Sequence, residues 1–127
     1  MARPAARELT ERELEVMQVF WQQGELTAQQ ARDALAAAGV DRAYTTVATL
    51  IRILLEKRFL KQITDARPFS YRAARSYEDV SRRLLSDLVD RVFHGSREQL
   101  ILRLLDQKKL TAKERARLEQ ILRENKS

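Results

Sequence analysis

The spacing of apolar residues changes once in the first 75 residues of this 127-residue chain, from a helical repeat to strand alternation. Up to Leu55 the apolar residues recur three and four positions apart, as they do on one face of an α-helix. Segments 59–63 and 68–72 instead read as two short strands around a turn at 64–67. This order restricts the first part of the chain to a helical domain that ends in a β-hairpin.

Three helices are predicted before the hairpin. Capping boxes that begin at Thr10 and Thr27 open the first two, and Gly24 and Gly39 end them. The third helix is expected to start after Asp41 as its N-cap, or slightly later if Arg42 or Ala43 still belongs to the turn, and to run to residue 57 or 58. Three helices, a short turn between the second and third, and then a basic hairpin together describe a winged helix-turn-helix. The buried stripe of the third helix is predicted to be Val47, Leu50, Ile51, Leu54 and Leu55.

The third helix begins with β-branched hydroxyl residues, which are poor helix formers. Thr45, Ala48, Thr49 and Arg52 are spaced so that they share one exposed face. Thr can hydrogen-bond a base edge or contact a thymine methyl group, Ala48 can make only the methyl contact, and Arg52 can reach guanine or a phosphate. We therefore predict that this helix reads bases in the major groove of DNA.

The charge distribution supports an anionic partner. The net charge is +6, but residues 8–41 hold seven acidic and two basic residues, whereas residues 42–75 hold eight basic and two acidic ones. Arg67, in the hairpin turn, is the wing cation best placed for a phosphate or minor-groove contact. The predicted DNA-binding residues are Arg42, Tyr44, Thr45, Thr46, Ala48, Thr49, Arg52 and Arg67.

Residues 76–127 are predicted to form three further amphipathic helices, opened by Ser76, Ser96 and Thr111. Fifty-two residues hold too little mass for a good independent core, so their apolar stripes favour a dimer over simple packing back on the first domain. The predicted fold is mainly α, with a winged-helix DNA-binding domain at 1–75 and a helical dimerisation domain at 76–127. The predicted dimer contacts are Val80, Leu84, Leu88, Leu100, Ile101, Leu104, Leu105, Leu118, Ile121 and Leu122.

Composition argues against several other classes of protein. The chain has no cysteine and a single histidine, His94, which gives poor support to a metal site, a thiol nucleophile or a Ser-His triad. No apolar run approaches the ~18 residues that span a membrane, and no signal-peptide core is visible near the N-terminus. We expect a cytoplasmic protein that is not an enzyme and needs no cofactor, with residues 1–9 as a loose basic arm. The rival interpretation is a winged-helix module that binds an acidic protein instead of DNA.

Three stretches, LTERELEVMQVFW, YTTVATLIRILLEKRFL and ARPFSYRAA, occur in this order and resemble the penicillinase-repressor family of BlaI, MecI and CopY. The resemblance continues through the tail helices. It implies a homodimeric winged-helix repressor that binds palindromic operators with TACA/TGTA-type half-sites and dimerises through its C-terminal helices. It maps the DNA-contacting stretch to Tyr44, Thr45, Thr46, Ala48 and Thr49, and the wing to residues 65–67.

The resemblance also implies regulatory features of the family. Its β-lactam-responsive members are cleaved at an Asn-Phe bond, which implies a membrane sensor protease as a possible partner. The residues of this chain that match that bond are Arg103 and Leu104. Its copper-responsive members carry a C-terminal cysteine motif, which this chain lacks. Many members have an arginine at the position of Ile53, whereas this chain has Arg52 one residue earlier, about 100° away around the helix.

Overall fold

A computed structural model describes residues 9–106 and 111–124, with the side chain of Leu122 excepted. The chain divides into two compact units, residues 1–84 and residues 85–127. The described residues form six helices and a small sheet, which confirms the predicted mainly helical, winged-helix fold class. In chain order the elements are α1 (Glu11–Gln23), β1 (Leu26–Thr27), α2 (Ala28–Ala37), α3 (Tyr44–Glu56), β2 (Leu60–Gln62), β3 (Ser70–Ala73), α4 (Tyr77–Val92), α5 (Arg97–Asp106) and α6 (Ala112–Glu124).

Both predicted capping boxes at the start of the chain are present. The hydroxyl of Thr10 accepts from the N–H of Glu13 at 3.2 Å, and the Glu13 carboxylate accepts from the N–H of Thr10 at 3.0 Å. Thr27 and Gln30 make the same pair of hydrogen bonds for α2, at 3.2 and 2.9 Å. These reciprocal bonds satisfy backbone donors that the first turn of a helix leaves open, and they fix where α1 and α2 begin.

Helix α3 starts two residues later than an N-cap at Asp41 implies, which agrees with the alternative that Arg42 and Ala43 belong to the turn. Its N-cap is Ala43, which makes no side-chain capping bond, and the predicted N-cap Asp41 lies outside the helix. Arg42, between the two, is held by an ion pair with Glu15 of α1. Residues 40–43, which adopt no regular secondary structure, therefore belong to the turn between α2 and α3, and the helix begins only at Tyr44.

The sheet has one strand more than the predicted hairpin. Its strand order is β1-β3-β2, with both pairs antiparallel. Leu26 lies opposite Tyr71 and Thr27 opposite Ser70, which brings the start of α2 to the wing. A strand of two residues is too short to show alternation, so β1 has no recognisable sequence pattern.

The core of the first unit includes the first half of α4. Val80 is 1% exposed within this core, and Leu84 packs against it. The indole N–H of Trp21 also donates to the carbonyl of Arg75 at 2.9 Å, just before α4 begins. Val80, one of the predicted dimer contacts, is thus covered by its own chain, and the half-buried Leu84 packs against the same core. This packing places the first turns of α4 in the compact first unit, which ends at residue 84.

The second unit contains the end of α4 together with α5 and α6. The predicted caps of its helices are present, because the Ser96 hydroxyl accepts from the N–H of Gln99 at 3.1 Å and Thr111 forms a capping box with Glu114. No residue of α5 is buried. Residues 1–8 of the predicted arm, residues 107–110 between α5 and α6, and the side chain of Leu122 lie outside the described residues. Within the described ranges, no helix is both long and apolar enough to cross a bilayer.

Candidate nucleic-acid interface

Helix α3 has one buried side and one exposed side, as predicted. Val47, Ile51 and Leu54 are at most 2% exposed and face the core. On the opposite side lie Thr45, Ala48, Thr49 and Arg52, which we call the outer face of α3. Three of these four residues are exposed, and Ala48 is half-buried. Leu50 and Leu55, which are also part of the predicted buried stripe, are only partly covered because they lie at its borders.

The hydroxyl of Thr49 is already used within the helix. Its Oγ1 donates to the carbonyl of Thr45 at 2.9 Å, the bond that Thr makes to residue i−4 in many helices. The bond uses the only hydroxyl proton, but the oxygen can still accept a hydrogen bond and the methyl group of this exposed residue takes no part in it. Thr49 can therefore accept from a base amino group or contact a thymine methyl, but it can donate only after breaking this bond.

Arg52 is held by an acidic neighbour on the same helix. Its Nη1 lies 3.1 Å from the Glu56 carboxylate, one turn further along, and the two side chains are 63% and 65% exposed. An exposed pair of this kind contributes only about 0.3–0.5 kcal/mol, so the guanidinium exchanges it readily for a stronger partner.

Arg42, unlike the other predicted contacts, is held against α1 by an ion pair. Its Nη2 donates to both carboxylate oxygens of Glu15, at 3.0 and 3.3 Å, and both side chains are less than one-third exposed. Its buried Nε has no hydrogen-bond partner within the described residues. In this structure Arg42 connects the turn before α3 to α1, and its charge is already paired.

A groove of about 600 Å³ runs between the wing and the amino ends of α2 and α3. Arg67 lines it, with its guanidinium carbon 5.6 Å from the centre of the Phe69 ring. The β1–β3 pairing places α2 beside the wing, so this groove depends on a strand that sequence spacing does not reveal. Its full lining is Thr27, Ala28, Gln29, Tyr44, Arg67, Pro68, Phe69 and Tyr71.

The surroundings of this groove shift the pKa of the Tyr71 phenol. Partial burial raises its pKa above the ordinary value, and the nearby phenol of Tyr44 raises it further. Arg67 acts in the opposite direction and lowers the pKa of the same phenol. The groove therefore brings the phenol groups of Tyr44 and Tyr71 close to the guanidinium of Arg67, a combination suited to a phosphate.

A second, shallower depression of about 350 Å³ lies on the other side of the outer face. Its lining contains Arg12 of α1 together with Thr45, Thr46, Thr49 and Leu50 of α3. Sequence reasoning missed Arg12, because this residue lies in the acidic part of the chain and no motif connects it to α3. Only the packing of α1 against α3 brings them together.

The remaining basic residues of the wing are distributed over different surfaces. Lys61 and Arg72 lie directly opposite each other in β2 and β3, and both are exposed. Arg72 follows Tyr71 in the strand, so strand alternation turns it away from the groove. The guanidinium of Arg75 lies 5.1 Å from the centre of the Phe59 ring in the core.

The second unit exposes several of the residues predicted for dimerisation. Leu88 is 42% exposed and Leu104 is 38% exposed, while Leu100, Ile101, Leu105 and Leu118 are partly covered. Between α5 and α6 lies a mainly apolar groove of about 450 Å³, lined by Leu104, Leu118 and Ile121 with three charged residues at its edges. The Arg103-Leu104 peptide lies within α5, and both of its side chains are exposed. The described ranges contain no cluster of three potential metal ligands.

Comparison with known proteins covers both units of the chain. The family model described as penicillinase repressor matches residues 9–124. A relative from Latilactobacillus sakei, described as an uncharacterized 16.5 kDa protein in the ptsI 3' region, is 29% identical over 115 residues. That alignment spans 91% of this chain and 78% of the relative.

Proposed function

The chain belongs to the penicillinase repressor family of transcriptional repressors, and from this we propose that it acts as a homodimer on palindromic operator DNA with TACA/TGTA-type half-sites. The observation that carries the proposal is the two-sided character of α3. One side is buried in the core, and the other exposes short polar residues and Arg52. Such small side chains allow the helix backbone to approach base edges closely in a major groove.

In this proposal the residues of the outer face read bases. Ala48 and the methyl group of Thr49 contact thymine methyl groups, while Thr45 hydrogen-bonds a base edge. Arg52 exchanges Glu56 for guanine or a phosphate. Each operator half-site would receive one α3 helix.

Phosphate contacts fix the position of the helix without reading sequence. The wing groove supplies the hydroxyl of Tyr44 and the guanidinium of Arg67 for one DNA strand. Arg42 contributes mainly by holding the turn before α3 in place, since its charge is paired with Glu15 at 3.0 Å.

The dimer brings two DNA-binding units to the two half-sites. The proposed contacts are the residues of the second unit that the sequence predicts for dimerisation, and the absence of any buried residue in α5 supports a partner there. A second copy of the chain is the occupant that a palindromic operator requires, because protein two-fold symmetry matches operator symmetry. The proposal does not include a sensor protease, because Arg103-Leu104 differs from the Asn-Phe bond that the resemblance implies.

Fluorescence anisotropy with a palindromic TACA/TGTA duplex and a scrambled duplex of equal length tests DNA recognition. We expect preferential binding of the palindrome, with log affinity falling linearly as log salt concentration rises. Thr49→Ala and Arg52→Ala should each weaken palindrome binding, whereas Arg123→Ala, a charge loss in the second unit, should not. Equal affinity for the two duplexes would favour the rival function, a winged-helix module that binds an acidic protein.

Sedimentation velocity tests the dimer. We expect Leu104→Asp to shift the protein towards monomer, because it places a carboxylate at the apolar groove between α5 and α6. Leu102→Asp is the matched control, because Leu102 is 46% exposed on the same helix but points away from the predicted contacts. A stable Leu104→Asp dimer would show that the interface is elsewhere.

A further inference from the structure

The depression that contains Arg12 lies on the opposite side of the outer face from the wing groove. With 3.6 residues per turn, Thr46 and Leu50 fall on one side of the line through Thr45 and Thr49, and Tyr44 falls on the other. Arg12 lines the depression with Thr46 and Leu50, whereas Arg67 lines the groove with Tyr44. The outer face thus has one cation on each side.

This arrangement matches the geometry of a DNA major groove. A helix inserted there has a phosphate backbone on each side, and the wing groove supplies contacts for only one of them. We propose that Arg12, together with the hydroxyl of Thr46, binds a phosphodiester of the second strand. This inference rests on the proposed function and adds to it a positioning contact from α1.

Two observations about Arg12 support the assignment. Its side chain is exposed, and no ion pair or hydrogen bond involves it within the described ranges, in contrast to Arg42 and Arg52. It also occupies the first turn of α1, where the helix dipole disfavours a cation. Local helix stability therefore gives no reason for an arginine here, whereas a phosphate partner does.

The acidic residues near Arg12 are for the most part already engaged. Glu13 is 3% exposed and pairs with Lys57 at 2.8 Å, and Glu15 pairs with Arg42. Glu11 is exposed and remains as a nearby negative charge. The charge at the depression is therefore set mainly by Arg12, and the negative charge of Glu11 partly offsets it.

The salt dependence of DNA binding by Arg12→Ala tests the inference with the full-length protein and the palindromic duplex. We expect affinity to fall at least about tenfold at low salt. The slope of log affinity against log salt should decrease by about 0.9 per phosphate contact, hence by about 1.8 for a dimer with two Arg12 side chains. Arg32→Ala is the matched control, because Arg32 is paired with Asp33 on α2 at 3.2 Å and does not line the depression.

A methylphosphonate scan then locates the contact. One phosphate in each half-site is replaced by a neutral methylphosphonate. At the phosphate that Arg12 binds, this replacement should lower the DNA affinity of the wild-type protein but leave the affinity of Arg12→Ala unchanged. Circular dichroism should show unchanged helix content, because Arg12 makes no capping bond.

Three results would overturn the inference. In the first, Arg12→Ala binds the palindrome with wild-type affinity and slope, so the proposed function stands without this contact. In the second, it loses preference for the palindrome over the scrambled duplex, so Arg12 reads a base. In the third, the wild-type protein itself shows no preference for the palindrome, so the proposed function fails and the inference falls with it.

Discussion

The ammonium group of Lys57, at the end of α3, lies 2.8 Å from Oε1 of Glu13, in the first turn of α1. The same oxygen accepts the N–H of Thr10 at 3.0 Å. The Glu13 side chain is 5% exposed and that of Lys57 is 26% exposed. One carboxylate therefore caps α1 and also fixes the carboxyl end of the helix that carries the outer face.

Glu13→Gln should lower the free energy of unfolding by about 1–3 kcal/mol, because a neutral amide keeps the shape and capping ability of the side chain but loses the charge interaction in a buried place. Urea unfolding measures the change. Glu11→Gln is the control, since that side chain is exposed in the same turn and the change should stay within about 0.5 kcal/mol. An unchanged urea midpoint for Glu13→Gln would show that only the cap contributes to stability.

Arg58→Gly should stabilise the protein by about 0.5 kcal/mol, because an L-residue in a left-handed conformation is strained and glycine is not. Arg58 has a φ of 67° after the end of α3, where the N–H of Phe59 donates to the carbonyl of Leu54 at 2.9 Å. Helix α2 ends in the same way with Gly39 at φ 88°. Urea unfolding of Arg58→Gly and of the reverse change Gly39→Ala should give opposite signs. A destabilised Arg58→Gly would mean that the arginine side chain itself contributes to the fold.

Local patterns predicted α1, α2 and the caps of the tail helices, because these depend on residues three or four positions apart. The strand β1 could not be predicted, because its two residues become a strand only by pairing with β3. The Arg42–Glu15 pair joins residues 27 positions apart, so no local pattern predicts it. Arg12 likewise lines a depression with residues of α3 only because α1 packs against α3. Sequence spacing therefore identified the outer face of α3. It did not show that Arg42 is paired with Glu15 or that Arg12 lies beside this face.

Thr49→Val should retain more operator affinity than Thr49→Ser. Valine keeps a methyl group for a thymine contact, whereas serine keeps only the hydroxyl, whose proton is donated to Thr45 at 2.9 Å. We expect the serine variant to lose about fivefold to tenfold, in the range of a lost base contact of about 1 kcal/mol. Anisotropy titration with the palindromic duplex measures both. The reverse order would show that Thr49 reads its base through the hydroxyl.

Alkaline pH should destabilise the wild-type protein more than Tyr71→Phe. Burial and the nearby Tyr44 raise the pKa of Tyr71 above its ordinary value of 10.0 in the folded chain, so the phenol holds its proton longer when folded. That contribution is fully present below about pH 10 and is lost as the pH rises through the folded pKa. Urea midpoints at about pH 9 and about pH 10.5 bracket the change, and Tyr44→Phe serves as the comparison. A parallel decline of wild type and Tyr71→Phe would contradict the assignment.

Glu56→Gln should tighten operator binding by about threefold at low salt, and by less at high salt because exposed charges are screened. The change frees Arg52 from a carboxylate 3.1 Å away and removes a negative charge from beside the outer face. Glu119→Gln, an exposed charge loss on α6, is the control and should have no effect. Combining Glu56→Gln with Arg52→Ala separates the two causes. If the gain disappears in the double variant, it came from releasing Arg52, and if it persists, it came from reduced repulsion of the DNA backbone. An unchanged affinity for Glu56→Gln would place this end of α3 outside the DNA interface.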